Sequence, residues 1–248
     1  MNQTIKTQLN HRSIRKFKDK PLDTETVSLL VDVARHTSTS NFMQSYSILS
    51  ITDEKLKKEI AHICKQTYVA ESGHLFIFLI DQHRNAQIAQ EKALDVSVLE
   101  TFDRFQIASS DALLAAQNVL IAAESMDLGG VFLGSILNQA DEIIALLDLP
   151  KYVFPIIGLA LGYPDQSPQL KPRLPQNVMH FENTYQTLDN YHDALGDYDE
   201  IVQTYYDLRD ENRRVDAFTK QIEASMARKP EGRMRLLAYL NQQGLLKK

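Results

Sequence analysis

Between His74 and Asp81 the chain reads HLFIFLID, six apolar residues in unbroken succession. Successive side chains of a strand point to opposite faces, so such a run leaves no face for water and needs cover on both sides. The fold must therefore be layered around this segment. Tyr46–Ile51 and residues 154–163 (FPIIGLALGY) also read as strands, and Gly129–Leu133 leads into a further short segment. Helical patterns fill most of the rest. Val27, Leu30, Val31 and Ala34 recur at i, i+3, i+4 and i+7, with Asp23 placed to cap that helix and Pro21 just before it. A second helix covers Glu54–Cys64. A third spans about residues 111–126, where Ala112, Ala115, Ala116, Val119 and Ala123 make a face of small residues. Small residues admit a close neighbour, which makes this helix central. Few strands among many helices predict an α+β or α/β layered domain.

Bulk properties exclude several functions. A formal net charge of -5 argues against a nucleic-acid binder that relies on a global positive field. The longest apolar run is broken by Pro155 and Gly158, and no segment reaches the roughly 20 apolar residues that span a bilayer. The polar first eleven residues lack the apolar stretch of a signal peptide. One cysteine, Cys64, can form no internal disulfide, and no Cys/His cluster offers a metal site. Cys64 lies in an apolar helical pattern and reads as a buried structural thiol. A reducing cytoplasm fits this usage.

Four segments could carry chemistry. His11-Arg12-Ser13-Ile14-Arg15-Lys16-Phe17 concentrates three permanent cations and a histidine. It reads either as a solvated basic turn or as a site for phosphate and ring-carbonyl acceptors, which suit the planar guanidinium. Lys171-Pro172-Arg173 is an exposed loop or a stiffened pair of cations preorganised for phosphate. Gly129 and Gly130 follow the third helix as a cap, or as backbone that a planar ligand can approach; the spacing of a dinucleotide fingerprint is absent. Thr37 to Asn41, then Phe42 and Gln44, form a polar loop able to hydrogen-bond a heterocycle. Residues 165–175 are proline-rich and extended, and little periodicity follows until about residue 192. Residues 194–248 are helical, polar and charged.

In this order, these segments resemble the FMN-dependent nitroreductase superfamily, and within it the oxygen-insensitive NADPH nitroreductase and NADPH-flavin oxidoreductase subgroup. HRSIRKF, TSTSNFMQ, AAQNVLIAAESMDLGGVFLG, PIIGLALGYPDQSPQLKPRLP, HFENTYQ, YDEIVQTYY and ENRR carry the likeness across the whole chain. The family carries a tryptophan after the ENRR-like stretch, whereas Ala217 and Phe218 stand there in this chain.

The resemblance implies an α+β sandwich with a mixed central sheet, flanked by helices, in one domain. Residues 1–193 would form the FMN-binding core, and residues 194–248 a helical segment packed on the partner of a homodimer. His11, Ser13, Lys171 and Arg173 would hold the FMN phosphate, with Arg12 beside them. Arg15 would face the N1/O2 edge of the isoalloxazine. Gln66, Gly129, Gly130 and Ser40 would line the ring. Asn41 and Phe42 would lie on the substrate side, and Arg213 and Arg214 would meet NADPH. No side chain is required as a proton donor. Electrons from NADPH or NADH would pass to flavins, nitroaromatics or quinones in a ping-pong scheme. The same contacts would serve a flavin store or sensor without hydride chemistry. Flavin-fragmenting and dehalogenating relatives usually carry added lid elements, and none is seen here. A helical interaction protein without cofactor is the remaining class.

Overall fold

The computed structural model describes residues 1–209 and 216–248. Two compact units emerge: Met1–Ser167 with Pro230–Lys248, and Pro168–Lys229. The class is α+β, as expected.

The first unit holds strands β1 (Tyr46–Ile51), β2 (His74–Asp81), β3 (Gly129–Leu133) and β4 (Val153–Gly162). Its helices are α1 (Gln3–Leu9), α2 (Thr24–Arg35), α3 (Glu54–Cys64), α4 (Tyr68–Glu71), α5 (His83–Gln90), α6 (Phe102–Ser125) and α7 (Ala140–Leu146). The second unit holds α8 (Tyr191–Ala194), α9 (Gly196–Arg209) and α10 (Phe218–Met226). The chain then returns to the first unit with α11 (Glu231–Met234) and α12 (Leu236–Gln242).

Among the described residues the sheet order is β1-β2-β4-β3, and every strand pair is antiparallel. Parallel pairing enters a sheet expected to be mixed only as an isolated bridge between Ser13 and Gly130. The run that forced a layered fold is the inner strand β2, buried along nearly its whole length. Its residues divide by parity. Leu75, Ile77 and Leu79 join Ile60, Ile63 and Cys64 of α3 in one core. Phe76 and Phe78 join Leu30 and Ala34 of α2 and the small-residue face of α6 in another. Two helical layers thus sandwich the sheet, each fed by alternate residues of one strand.

Pro155 lies where the register between β2 and β4 slips, between Phe78 and Leu79. β3 pairs with β4 only from Gly158 to Gly162, so Pro155 lies on a stretch with one strand neighbour. Such an edge stretch beside a bulge is where a strand tolerates proline. The cap on α2 is the one the sequence predicts, with the Asp23 carboxylate accepting from Thr26 N–H at 2.7 Å. Helix α6 begins at Phe102, well before the expected start near residue 111. Residues 102–110 carry the mixed pattern FDRFQIASS, which shows no clear apolar period.

Candidate functional site

The segment after α1 owes its place to two apolar residues in a polar stretch. Ile14 and Phe17 are buried, and their backbone is sewn to the sheet. Ile14 N–H donates to Gly130 O at 3.0 Å, and Lys18 N–H donates to Tyr163 O at 2.9 Å. HRSIRKF therefore runs along β3 and the end of β4 as a fixed strip rather than a free basic turn. The glycines explain how close this approach is. A Cβ on Gly129 would stand 2.4 Å from Ile14 Cγ1, and one on Gly130 would stand 2.6 Å from Leu161 Cδ2. Neither distance is tolerable, so both glycines are required by packing within the chain.

The polar side chains of the strip have distinct fates. His11 Nδ1 lies 2.5 Å from Glu124 Oε1 near the end of α6, which leaves Nε2 as the nitrogen able to serve a ligand. Lys16 pairs with Asp165 at 2.9 Å, both well exposed. Arg15 is exposed at its surface. Arg12 is half-buried, and its Nε is fully buried with no hydrogen-bond partner among the described residues. An unsatisfied buried donor costs about 1–3 kcal/mol, so the Arg12 Nε is held in this position at a cost to the fold.

Gln66 comes into place through the end of α3. Lys65 takes the left-handed conformation at φ 54, and Gln66 N–H returns to Ala61 O at 3.0 Å. The Gln66 carbonyl oxygen then accepts from Tyr68 Oη at 2.6 Å and from Ser135 Oγ at 3.1 Å. With its oxygen engaged twice, the amide has its NH2 group left to donate. Burial pushes the Tyr68 phenol above its ordinary range, and the positive charge of the Arg15 guanidinium works in the opposite direction. The structure thus joins Arg15 and Gln66 through Tyr68, a residue the sequence did not flag. Cys64 is buried, and burial raises its thiol, offset in part by Ser135. A raised thiol makes a poor nucleophile, in keeping with a structural role.

Ser40, Asn41 and Phe42 form a short 3₁₀ turn. Ser40 N–H donates to Asp111 Oδ1 at 3.0 Å. Phe42 is 83% exposed. Lys171 and Arg173 belong to the second unit, in the extended stretch before α8. In that unit Leu174 and Val178 pack against Leu195, Tyr198 and Val202 of the segment 195–202. Arg213 and Arg214 lie outside the described residues. Among the described residues no group of three or more His, Cys, Asp or Glu could hold a metal ion. Likewise, no helix is long and apolar enough to cross a membrane.

Glu124, Tyr68, Ser135 and Asp111 are the partners that sequence reasoning missed. Asp111 alone left a signal. It lies four and eight residues before Ala115 and Val119, in register with the small-residue face, where a carboxylate is out of place.

A layered α+β fold with a cationic strip fixed along β3 and the end of β4 suits a protein that binds an anionic ligand. Residues 9–163 match the nitroreductase family model, and residues 171–248 match the C-terminal domain of the nitroreductase family. The chain belongs to the nitroreductase family. It is 40% identical to an FMN reductase (NADPH) of Bacillus subtilis, over the full length of both chains. A solved nitroreductase from B. subtilis superposes with a TM-score of 0.94 at 40% identity, covering 99% of this chain and 100% of that one. An NADPH:FMN oxidoreductase from Vibrio harveyi, solved with NAD+, gives 0.90 at 36% identity and covers 100% of both chains.

Proposed function

We propose that the protein is an FMN-dependent oxidoreductase that uses NADPH, or NADH, to reduce flavins, nitroaromatics and quinones, working as a cytoplasmic homodimer. The observation that carries this reading is the HRSIRKF strip, whose cations are fixed along β3 and the end of β4 by buried Ile14 and Phe17 and by the bonds of Ile14 N–H to Gly130 O and Lys18 N–H to Tyr163 O. A phosphorylated planar cofactor supplies the acceptors that this strip lacks. Family membership and the names of the relatives support FMN and NADPH in those roles.

When bound, FMN supplies the two-electron chemistry, taking reducing equivalents from NADPH or NADH and returning them to the acceptor in a ping-pong sequence. The chain's own residues bind and tune it. His11, with Nδ1 held by Glu124, and Ser13 serve the phosphate together with Arg12; Lys171 and Arg173 are assigned to the same anion by their chemistry. Gln66 offers its free NH2 group to a ring acceptor, Ser40 is assigned to the same ring, and Gly129 and Gly130 act by letting the HRSIRKF strip lie against the sheet beside it. Asn41 and Phe42 face the acceptor, and Arg213 and Arg214 are assigned to NADPH. Of the segment 194–248, the part before Pro230 is assigned to the partner subunit's surface, because Tyr239, Leu240 and Leu245 pack into the chain's own core; Leu113 and Leu114, exposed on α6, support a second copy as the cover. Steady-state NADPH oxidation with FMN and with nitrofurazone tests the activity. Turnover with both is expected, and the absence of acceptor-dependent oxidation would refute it.

Arg15 is the residue that sets the driving force. Reduction leaves negative charge on the flavin, and a fixed guanidinium in a partly desolvated site stabilises that charge more than it stabilises the oxidised ring. Arg15→Gln is expected to lower the two-electron midpoint potential of bound FMN by about 30–60 mV, where 30 mV corresponds to about 1.4 kcal/mol. Spectroelectrochemistry on the flavin-saturated variant measures the shift. An unchanged or raised potential would retire the role even if activity fell.

A further inference from the structure

Among the described residues the most deeply buried carboxylate forms no ion pair. Asp111, on α6, is 1% exposed. Its two oxygens are divided between two backbone donors: Ser40 N–H reaches Oδ1 at 3.0 Å, and Ser45 N–H reaches Oδ2 at 3.1 Å. Burying a charge is costly unless hydrogen bonds satisfy it, so these two donors set where the carboxylate can sit. By the same bonds, the carboxylate fixes the two ends of the segment between them.

That segment is strained. Asn41, Phe42 and Gln44 have φ of 51, 59 and 48, so three of the four residues between the clamped serines are in the left-handed region. None is glycine, and each such residue persists only where its surroundings over-determine the backbone. The carbonyls of the segment are held from α5. Arg84 donates to Gln44 O, and Asn85 Nδ2 donates to Met43 O at 3.4 Å. Donors are thus held by α6 and carbonyls by α5, and the product is an outward-facing Phe42 in a backbone that cannot relax. An exposed aromatic gains little from packing, so the strain has no return within the fold of this segment.

We propose that Asp111 is a positioning residue for the electron acceptor: its carboxylate holds the Ser40–Ser45 segment so that Phe42 presents a fixed face to planar aromatic acceptors. The inference rests on the proposed function, in which Asn41 and Phe42 face the acceptor. Asp111 touches neither acceptor nor cofactor and acts only through the segment it clamps.

Asp111→Asn keeps the shape and loses one acceptor, because the new NH2 group must face a backbone N–H. The KM for nitrofurazone is expected to rise about tenfold with little change in kcat, since orientation of the acceptor is lost while its reduction is not. Amide hydrogen exchange should accelerate in residues 40–45 and stay slow in β2. Phe42→Ala, a surface change that leaves folding intact, should raise the same KM. Adding Asp111→Asn to Phe42→Ala should raise it little further, because both act through one side chain. Additive effects, or an unchanged KM in either single variant, would overturn the proposal. Should Asp111→Asn fail to fold, Phe42→Ala with an unchanged KM overturns it alone. A wild-type chain that oxidises no NADPH would overturn the proposed function and this role together. An active wild type with an unaltered KM in the variants would overturn this role only.

Discussion

Arg12→Met is expected to weaken FMN binding by roughly 1.5–3 kcal/mol, the range for a hydrogen bond to a charged group, or about 10- to 150-fold in Kd. Methionine keeps the unbranched stem and so preserves the packing of a half-buried side chain, while removing the donors. The loss is expected in binding and not in stability. Among the described residues the Arg12 Nε has no hydrogen-bond partner, so removing it breaks no bond to them. Fluorescence titration with FMN and with riboflavin measures the effect and locates it. A loss confined to FMN assigns Arg12 to the phosphate, and an equal loss for both assigns it to the ring or ribityl chain. Unchanged affinity for both flavins, at unchanged stability, would remove Arg12 from the site.

Acidification is expected to destabilise the fold through one histidine. His74, at the start of β2, is 6% exposed. Its Nε2 lies 3.1 Å from Ser50 Oγ, and its ring meets Phe76 edge-on at 4.4 Å. Burial, with the charge of Lys57 adding to it, pushes its pKa down from 6.5 to about 4. The folded chain therefore keeps His74 neutral where the unfolded chain protonates it. The stability this contributes is fully present above pH 6.5 and is lost progressively as the pH falls towards 4. The loss over that window is roughly 3 kcal/mol, at about 1.4 kcal/mol per pKa unit. Carboxylates also titrate there, so the comparison is with His74→Gln, which can keep the bond to Ser50 but cannot take up a proton. Urea midpoints at pH 7 and pH 4.5 should fall farther for the natural chain than for the variant. Parallel falls would mean that His74 is protonated inside the fold.

What the sequence made legible is local. The apolar run of β2 announced a strand covered on both faces, and the structure feeds its alternate residues into two cores. Periodicity and a capping aspartate located α2, and the alanine face located the inner part of α6. Charge density drew attention to HRSIRKF, and the paired glycines Gly129 and Gly130 to a close approach of backbone. What stayed hidden is non-local. His11 meets Glu124 across 113 positions, Ser40 meets Asp111 across 71, and Gln66 meets Ser135 across 69. None of these spacings has a period, and pairing at that range is decided by how the layers stack. The glycines show the same limit. Their sequence suggests room for a ligand, whereas the space beside them is taken by Ile14, Pro164, Leu120 and Leu161.

Anaerobic mixing of the FMN-loaded protein with NADPH separates an oxidoreductase from a flavin store. About one flavin per chain should bind, its visible absorbance should bleach on addition of NADPH, and the colour should return when nitrofurazone follows. A protein that takes up no FMN, or whose bound FMN keeps its colour in excess NADPH, would contradict the proposed function.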